Sequence, residues 1–377
     1  MPNRRFPLSP TQSAALWYGC PGRPWLARVS HGHGFGPLST ELQKVQPVKI
    51  ISFFNHKGGV GKTTLIFNIG LAFATIGRRV LFVDADAQGN LTSAALPAEQ
   101  IEELFNEERT IYGVLKPVVE GSGDIDVMPP VGIRNGAYII PGDIRLSDFE
   151  EFSSIGWTET LAGTMRGARS STAIYRMIKS AGESVNADYA FVDLGPNVGA
   201  LNRNAILASS GFVVPVAPDL FSVTALPSVG TSSARWIEDW AIARESVLRR
   251  NPNIEFEMPI GRPSPLGYLT QQFAVYREQP TAAFRAWNDR IPRAYKEGIV
   301  DAMSRTGVSI PAGDPLIGSV PNLSSLVPMA QRTKSAIFEL SGAEARGAQY
   351  TRARQTFSLF KELAEEIEVR VQEVGGI

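Results

Sequence analysis

One stretch constrains this chain more than any other: Lys57-Gly58-Gly59-Val60-Gly61-Lys62-Thr63-Thr64. An apolar run, Lys49 to Asn55, precedes it, and a helical pattern, Leu65 to Ala74, follows. Strand, glycine loop and helix, in that order, is the setting of a phosphate-binding loop. Glycines let successive N–H groups turn inward around an anion, and the N-terminus of the helix adds positive potential. In that setting Lys62 reaches the β- and γ-phosphates and the Thr63 hydroxyl sits on Mg²⁺. Gly58, Gly59, Val60, Gly61 and Thr64 complete the nucleotide cradle. A glycine-rich turn with a chance lysine needs neither the strand before it nor the helix after it.

The loop departs from the ordinary G-x-x-x-x-G-K-[ST] pattern. His56 stands where the first glycine belongs, and Lys57 adds a second lysine ahead of Lys62. In this the chain resembles the deviant phosphate loop of the ParA/MinD-type ATPases, and its ParA branch in particular. The resemblance implies that Lys57 reaches across a homodimer to the partner's nucleotide. A cation supplied in trans stabilises charge on the transferring phosphoryl group, as an arginine finger does. ATP binding and dimerisation then become one event.

Two further segments extend the pattern. After Gly77, a plausible helix C-cap, Arg78 to Val83 reads as a buried parallel strand. It delivers Asp84 and Asp86 to its carboxyl end, where open α/β sheets bind ligands. A helix cap accounts for one acid; two acids at i and i+2, followed by Gln88-Gly89-Asn90, exceed that need. The run is similar to the family's D-x-D-P-Q-G-N segment, with Ala87 in place of proline. By that match Asp84 holds a Mg²⁺-bound water and Asp86 orients the attacking water. Tyr189-Ala190-Phe191-Val192-Asp193, followed by Leu194-Gly195-Pro196, reads as a Walker B strand. Asp193 then serves Mg²⁺ through its water shell, and the Gly-Pro turn senses the γ-phosphate.

The remaining chain is read more coarsely. Its length allows one large domain or two modest ones. Lys+Arg and Asp+Glu are equal at 37 each, so any nucleic-acid or membrane affinity must come from a local patch. The single cysteine, Cys20, excludes an intrachain disulfide or a Cys/His zinc cluster and suits a reducing cytoplasm. No uninterrupted apolar stretch is long enough for a membrane helix. Residues 1–47 carry seven prolines and almost no acid, and neither helical nor strand period survives there. They are expected to be a disordered tail or the product of a start codon placed too far upstream. Arg4-Arg5 lacks the apolar region a twin-arginine signal needs, and an organelle transit peptide is the other targeting reading.

Beyond the motifs, Glu99 to Glu108 reads as a surface helix, Ile125 to Pro129 as a short strand and Thr172 to Ala181 as a helix. Ile139 to Leu146 resembles a segment that follows the family's third strand. Pro196 to Ala205 opens another helix. Gly211 to Asp219 is a buried strand with its exit loop, with Pro215 awkward inside it. A long helix then places Trp236 and Trp240 at i and i+4, a pair expected to pack in the core. Pro265 to Thr270 is a candidate strand. After it comes an enlarged segment, within about 245–310, carrying Arg277, Arg285, Arg290, Arg293 and Lys296 among Tyr276, Phe284, Trp287 and Tyr295. These fit either a non-specific DNA surface or a solvated amphipathic helical pair with its aromatics inside. Leu316 to Asn322 is a last strand and exit loop; its family counterpart cups the adenine, which makes Pro321 and Asn322 base-contact candidates. The terminal helix, about Ala343 to Val374, is basic early and acidic late. An acidic end is repelled by anionic lipid, which disfavours the MinD-like membrane branch.

The expected fold is therefore α/β: a mostly parallel twisted sheet with helices on both faces, a Rossmann-like three-layer P-loop domain over 48–377. The resemblance implies MgATP binding and slow hydrolysis by a nucleotide-switched dimer. It also implies a partner protein that stimulates hydrolysis, so that a plasmid, a chromosome or other cargo is positioned. A redox ATPase of the nitrogenase iron-protein type is excluded, because a bridging cluster needs paired cysteines in each subunit. A positioning switch for a non-DNA complex, and a small-molecule ligase on the same fold, remain open.

Overall fold

The structure, a computed structural model, describes residues 47–273, 275–276, 279–280, 286–323 and 325–375. The first strand, β1 (Lys49–Phe53), shows the logic of the sheet. Ile50 points to one face, while Ile51 and Phe53 point to the other, and all three are buried. A strand buried on both faces belongs in the middle of a parallel sheet covered by helices.

The chain runs from β1 through α1 (Lys62–Thr75) to β2 (Val80–Ala85). Three short helices follow: α2 (Asn90–Ala95), α3 (Ala98–Asn106) and α4 (Ile111–Glu120). Next come β3 (Val131–Arg134), β4 (Ala137–Ile140) and the long pair α5 (Leu146–Leu161) and α6 (Met165–Ser184). The strand β5 (Tyr189–Leu194) leads to α7 (Ala200–Ala208), β6 (Gly211–Val216) and α8 (Leu220–Arg250). The last part holds β7 (Ser264–Phe273), the two-residue strands β8 (Val275–Tyr276) and β9 (Gln279–Pro280), and α9. Helix α9 opens as Ile291–Tyr295, passes through a π turn at Lys296–Val300 and closes as Asp301–Ser304. Then come β10 (Leu316–Pro321), α10 (Val327–Thr333) and α11 (Ala348–Gly375).

Eight strands form one sheet in the order β10-β7-β6-β1-β5-β2-β4-β3. Every pair is parallel except β3 with β4. The expected α/β architecture is therefore present. One apolar cluster joins the sheet to α4 through α9, and a second joins its other face to α1, α2 and α11. Trp236 and Trp240 are both buried, as expected, and Trp240 stacks on Trp157 with centroids 6.1 Å apart and donates Nε1 to Pro259 O. Helix α11 packs through Phe360, Leu363, Ile367 and Val371. Its acidic end is used locally: Glu368 accepts from Arg78 and from the Tyr189 hydroxyl.

Three expectations need correction. Ile125 to Pro129 is not a strand. The antiparallel edge lies just beyond it, at β3, where Val131 registers with Ile139. The middle helix is longer than Thr172–Ala181, because Thr164 caps it eight residues earlier by accepting from Gly167 N. The terminal helix begins at Ala348 rather than Ala343. Residues 1–46, Arg277, Phe284 and Arg285 lie outside the described residues.

Candidate phosphate-binding site

The loop between β1 and α1 is shaped by two glycines in the left-handed region, Gly59 (φ 71°) and Gly61 (φ 68°). Gly61 occupies the N-cap of α1, so the first N–H groups of that helix face the loop's concavity. Asn55 fixes the loop's entry, donating Nδ2 to Pro215 O at 2.7 Å and accepting from Lys57 N at 3.0 Å. Lys62 is 8% exposed. Among the described residues its ammonium makes only long bonds, 3.4 Å to Asn55 O and 3.3 Å to Lys57 O. Burial pulls its pKa below the usual lysine value, against the opposing fields of Asp193 and Asp86.

Adjacent strands supply the carboxylates. Asp84 and Asp193 stand opposite each other across β2 and β5. Both are essentially inaccessible. Thr63 Oγ1 donates to Asp193 Oδ2 at 2.6 Å, while Asp193 Oδ1 is buried with no partner among the described residues. Burial, followed by the neighbouring Asp84 charge, pushes the Asp193 carboxyl up to about 8. Burial also lifts Asp84, to about 6, although Thr92 N and Thr92 Oγ1 donate to its Oδ2 at 2.8 and 2.7 Å. Asp84 thus also anchors the first turn of α2. Gly142 N donates to Thr92 Oγ1, and a Cβ on Gly142 would come within 2.8 Å of Asp84 Cγ. Only glycine lets the backbone approach this carboxylate so closely.

Asp86 is half-buried beside the turn that follows β5: a Cβ on Gly195 would sit 3.6 Å from its Oδ1. The same turn's Pro196 lies 3.8 Å from the Cβ position of Gly58. Asn202 ties the turn to α7 by donating to Gly195 O and Asn197 O. The Gly-Pro segment therefore lies beside both Asp86 and the glycine loop. Lys57 turns away from its own loop and pairs with Asp219. Asp219 is the N-cap of α8 and accepts from Ser222 N at 2.9 Å. Burial raises the Asp219 pKa, but Lys57 and the Ser222 N–H outweigh it and hold the carboxyl below its usual range.

A cavity of about 340 Å³ opens beside the loop, between Gly61 and Thr64 on one side and Pro321 and Asn322 on the other. The two base-contact candidates thus reach the phosphate loop's edge. Arg352 of α11 donates to Asn322 O at 2.6 Å, and Phe360 and Gln271 also line the cavity. Of the candidate DNA residues, Arg290 lies over Trp287 at 4.8 Å and Arg293 pairs with Glu297 at 2.7 Å. Both arginines are exposed, whereas Tyr295 is in the core against Tyr268.

A family model described as an AAA domain matches residues 48–235. The sporulation initiation inhibitor protein Soj of Bacillus subtilis is 35% identical over 178 residues, 47% of this chain and 62% of that protein. The chromosome partitioning protein ParA of Caulobacter vibrioides is 33% identical over 187 residues, 48% of this chain and 60% of that protein. The chain is a ParA/MinD-type P-loop protein, related to the partitioning branch. Among solved structures, a Corynebacterium diphtheriae protein superposes with a TM-score of 0.61 at 27% identity, covering 76% of this chain and 97% of that one. The matched segments span less than two thirds of the curated relatives' own length.

No cluster of three or more His, Cys, Asp or Glu side chains among the described residues could hold a metal alone. Mg²⁺ needs none, since it takes one or two carboxylates and completes its shell with water and phosphate oxygens. The orphaned Asp193 oxygen beside the Thr63 hydroxyl fits that requirement. No helix among the described residues is long and apolar enough to cross a membrane.

Proposed function

We propose that this ParA/MinD-type protein binds MgATP, dimerises on it and hydrolyses it slowly, as a switch that positions cargo. The observation that carries the reading is the convergence of Lys62, Thr63 and Asp193, with one buried Asp193 oxygen left unpaired. A buried charge without a partner is costly, and a site built this way is stabilised by its ligand. Thr63, Asp84 and Asp193 would hold Mg²⁺, which supplies charge neutralisation across the β- and γ-phosphates. Lys62 binds the phosphates within the subunit. Asp86 orients the attacking water, and its place beside the Gly195-Pro196 turn couples that water to the switch segment.

Lys57 acts on the partner's nucleotide in this scheme. Its cis partner Asp219 does not oppose this strongly: both side chains are partly exposed, at 28% and 36%. Such pairs are worth about 0–1 kcal/mol, so releasing Lys57 from Asp219 costs little.

Sedimentation of Asp86→Ala with ATP tests the scheme. That variant should bind ATP, retain it unhydrolysed and run as a dimer. Adding Lys57→Ala should leave ATP bound to a monomer. A dimer that survives the loss of Lys57 would falsify the trans-lysine role, and a monomer in both cases removes the switch. Cargo is separated by a gel shift on unrelated DNA sequences with and without ATP. ATP-dependent binding, weakened by Arg290→Glu or Arg293→Glu, supports DNA partition, with Arg277 and Arg285 as further contacts. No binding at low salt transfers the proposal to a non-DNA complex.

A further inference from the structure

Gln271 has no place in the scheme above, yet it is the most unusual polar group near the site. It lies toward the carboxyl end of β7, in register with Val320 of β10. The side chain is 4% exposed, and its Nε2 is buried without a hydrogen-bond partner among the described residues. Its strand neighbour offers no help, since Thr270 and Ser319 bond each other at 2.6 Å. A buried amide nitrogen left unpaired is destabilising and calls for an explanation.

The surroundings supply one. The carboxamide presses on the phosphate loop: a Cβ on Gly61 would lie 2.8 Å from Gln271 Oε1 and 2.9 Å from Nε2. It also forms part of the wall of the 340 Å³ cavity, whose other sides include Leu65, Val320, Leu323 and Phe360. That volume falls within the roughly 300–1,000 Å³ of small-ligand sites. A cavity that starts at a phosphate loop, has apolar walls and carries one buried amide is suited to a flat heteroaromatic ring joined to phosphates.

We infer that Gln271 reads the base of the bound nucleotide and selects a 6-aminopurine over a 6-oxopurine; the inference rests on the nucleotide reading proposed above. A carboxamide presents one acceptor and one donor side by side. Adenine answers with its N6 amino group and N7, whereas a 6-oxopurine offers two acceptors along the same edge. The glutamine χ3 torsion is broad, so the plane of the amide adjusts to a ring in the cavity without leaving a rotamer well. Gly61 then does two things: it shapes the loop and it leaves room for the amide that inspects the base.

Calorimetric titration of the full chain with the magnesium complexes of ATP, inosine triphosphate and GTP tests this. The wild type should prefer ATP by roughly ten- to a hundredfold, the discrimination a bidentate amide–base pair provides. In Gln271→Leu, ATP affinity should fall to that of inosine triphosphate, while the latter changes by less than about threefold. Equal losses for both nucleotides would show that the amide supports the phosphate loop instead, and an unchanged preference would assign base reading elsewhere. If Gln271→Leu does not fold, wild-type binding of 7-deaza-ATP decides: a loss of about tenfold or more supports the contact, and parity with ATP overturns it. A wild type that binds all three equally defeats this inference alone. One that binds none defeats the nucleotide reading with it.

Discussion

Two buried cations, one from each half of the chain, show how differently the molecule uses charge. Lys62 sits 8% exposed at the start of α1 and, among the described residues, reaches only two carbonyls, at 3.3 and 3.4 Å. Arg370 sits 6% exposed in α11 and has a partner for each of its five N–H donors. It donates to Glu366 Oε1, Leu266 O, Pro315 O, Asp314 O and Leu316 O at 2.7–3.2 Å. Gly267 makes room for the guanidinium, since a Cβ there would lie 2.4 Å from Arg370 Nη1. A satisfied buried charge is architecture: Arg370 ties the terminal helix to β7 and to the approach to β10. A poorly satisfied one is an invitation to a ligand. Burial alone does not distinguish the two; the set of partners does.

The comparison is broken or kept most sharply by Lys62→Ala. Nucleotide affinity should drop on the order of a hundred- to a thousandfold, because the triphosphate loses its principal desolvated cation. The nucleotide-free melting temperature should hold or rise, since the burial of this charge outweighs the opposing fields of Asp193 and Asp86. Calorimetric titration and a thermal melt read the two halves of the claim. A large loss of stability with affinity retained would reverse the assignment. Arg370→Leu should do the opposite. It removes the guanidinium from four main-chain carbonyls, of which Pro315 O keeps Tyr268 N, and breaking a buried charged network of this kind costs about 3–5 kcal/mol. Urea unfolding measures that loss, while ATP affinity of the folded protein should change by less than about threefold. A destabilisation below about 1 kcal/mol would mean that water replaces the guanidinium at little cost.

The same contrast explains what could be read from the residues alone. The loop was legible because its chemistry is contiguous: two lysines, three glycines and two threonines between a strand and a helix. Asp84 and Asp193 were legible as strand-end acids, but their adjacency depends on β2 and β5 pairing across 109 residues. Their supports were not legible. Thr92 and Gly142 reach Asp84 from 8 and 58 residues away, and nothing local marks them. Asp219 carried a signal, an acid three residues before Ser222 at the head of a long helix, which is an N-cap pattern. Its pairing with Lys57 did not. Gln271 was hidden for a different reason: it looks like one more polar residue at the end of a strand, and only the absence of a partner for its amide nitrogen among the described residues sets it apart. Ile125 to Pro129 failed in the other direction, since its alternating apolar residues find no strand beside them, and the edge forms six residues later at Val131.

The smallest expected effect is the most specific to the unsatisfied side of the comparison. The folded-state pKa of Asp193 is raised from 3.8 to about 8 by burial and by the Asp84 charge. A carboxyl with a raised folded pKa contributes stability that is fully present below its unfolded value. That contribution is lost as pH rises through the folded one. In the nucleotide-free protein the loss falls between about pH 4 and pH 8, with Asp84 adding its own share up to about 6. An asparagine side chain cannot ionise, so Asp193→Asn should remove this group's part of the slope. The variant and the wild type should be nearly equal in stability below about pH 4. At about pH 9 the variant should be the more stable by roughly 1–3 kcal/mol, the scale of an unsatisfied buried polar group. Urea titrations across that range, without nucleotide or Mg²⁺, give the difference directly. Adding MgATP at the higher pH should then invert the order, because the wild-type carboxylate gains the cation it lacks and the amide does not. A difference that stays flat with pH would show that Asp193 is already satisfied without a ligand, and Lys62 would then stand alone as the unpaired charge of this site.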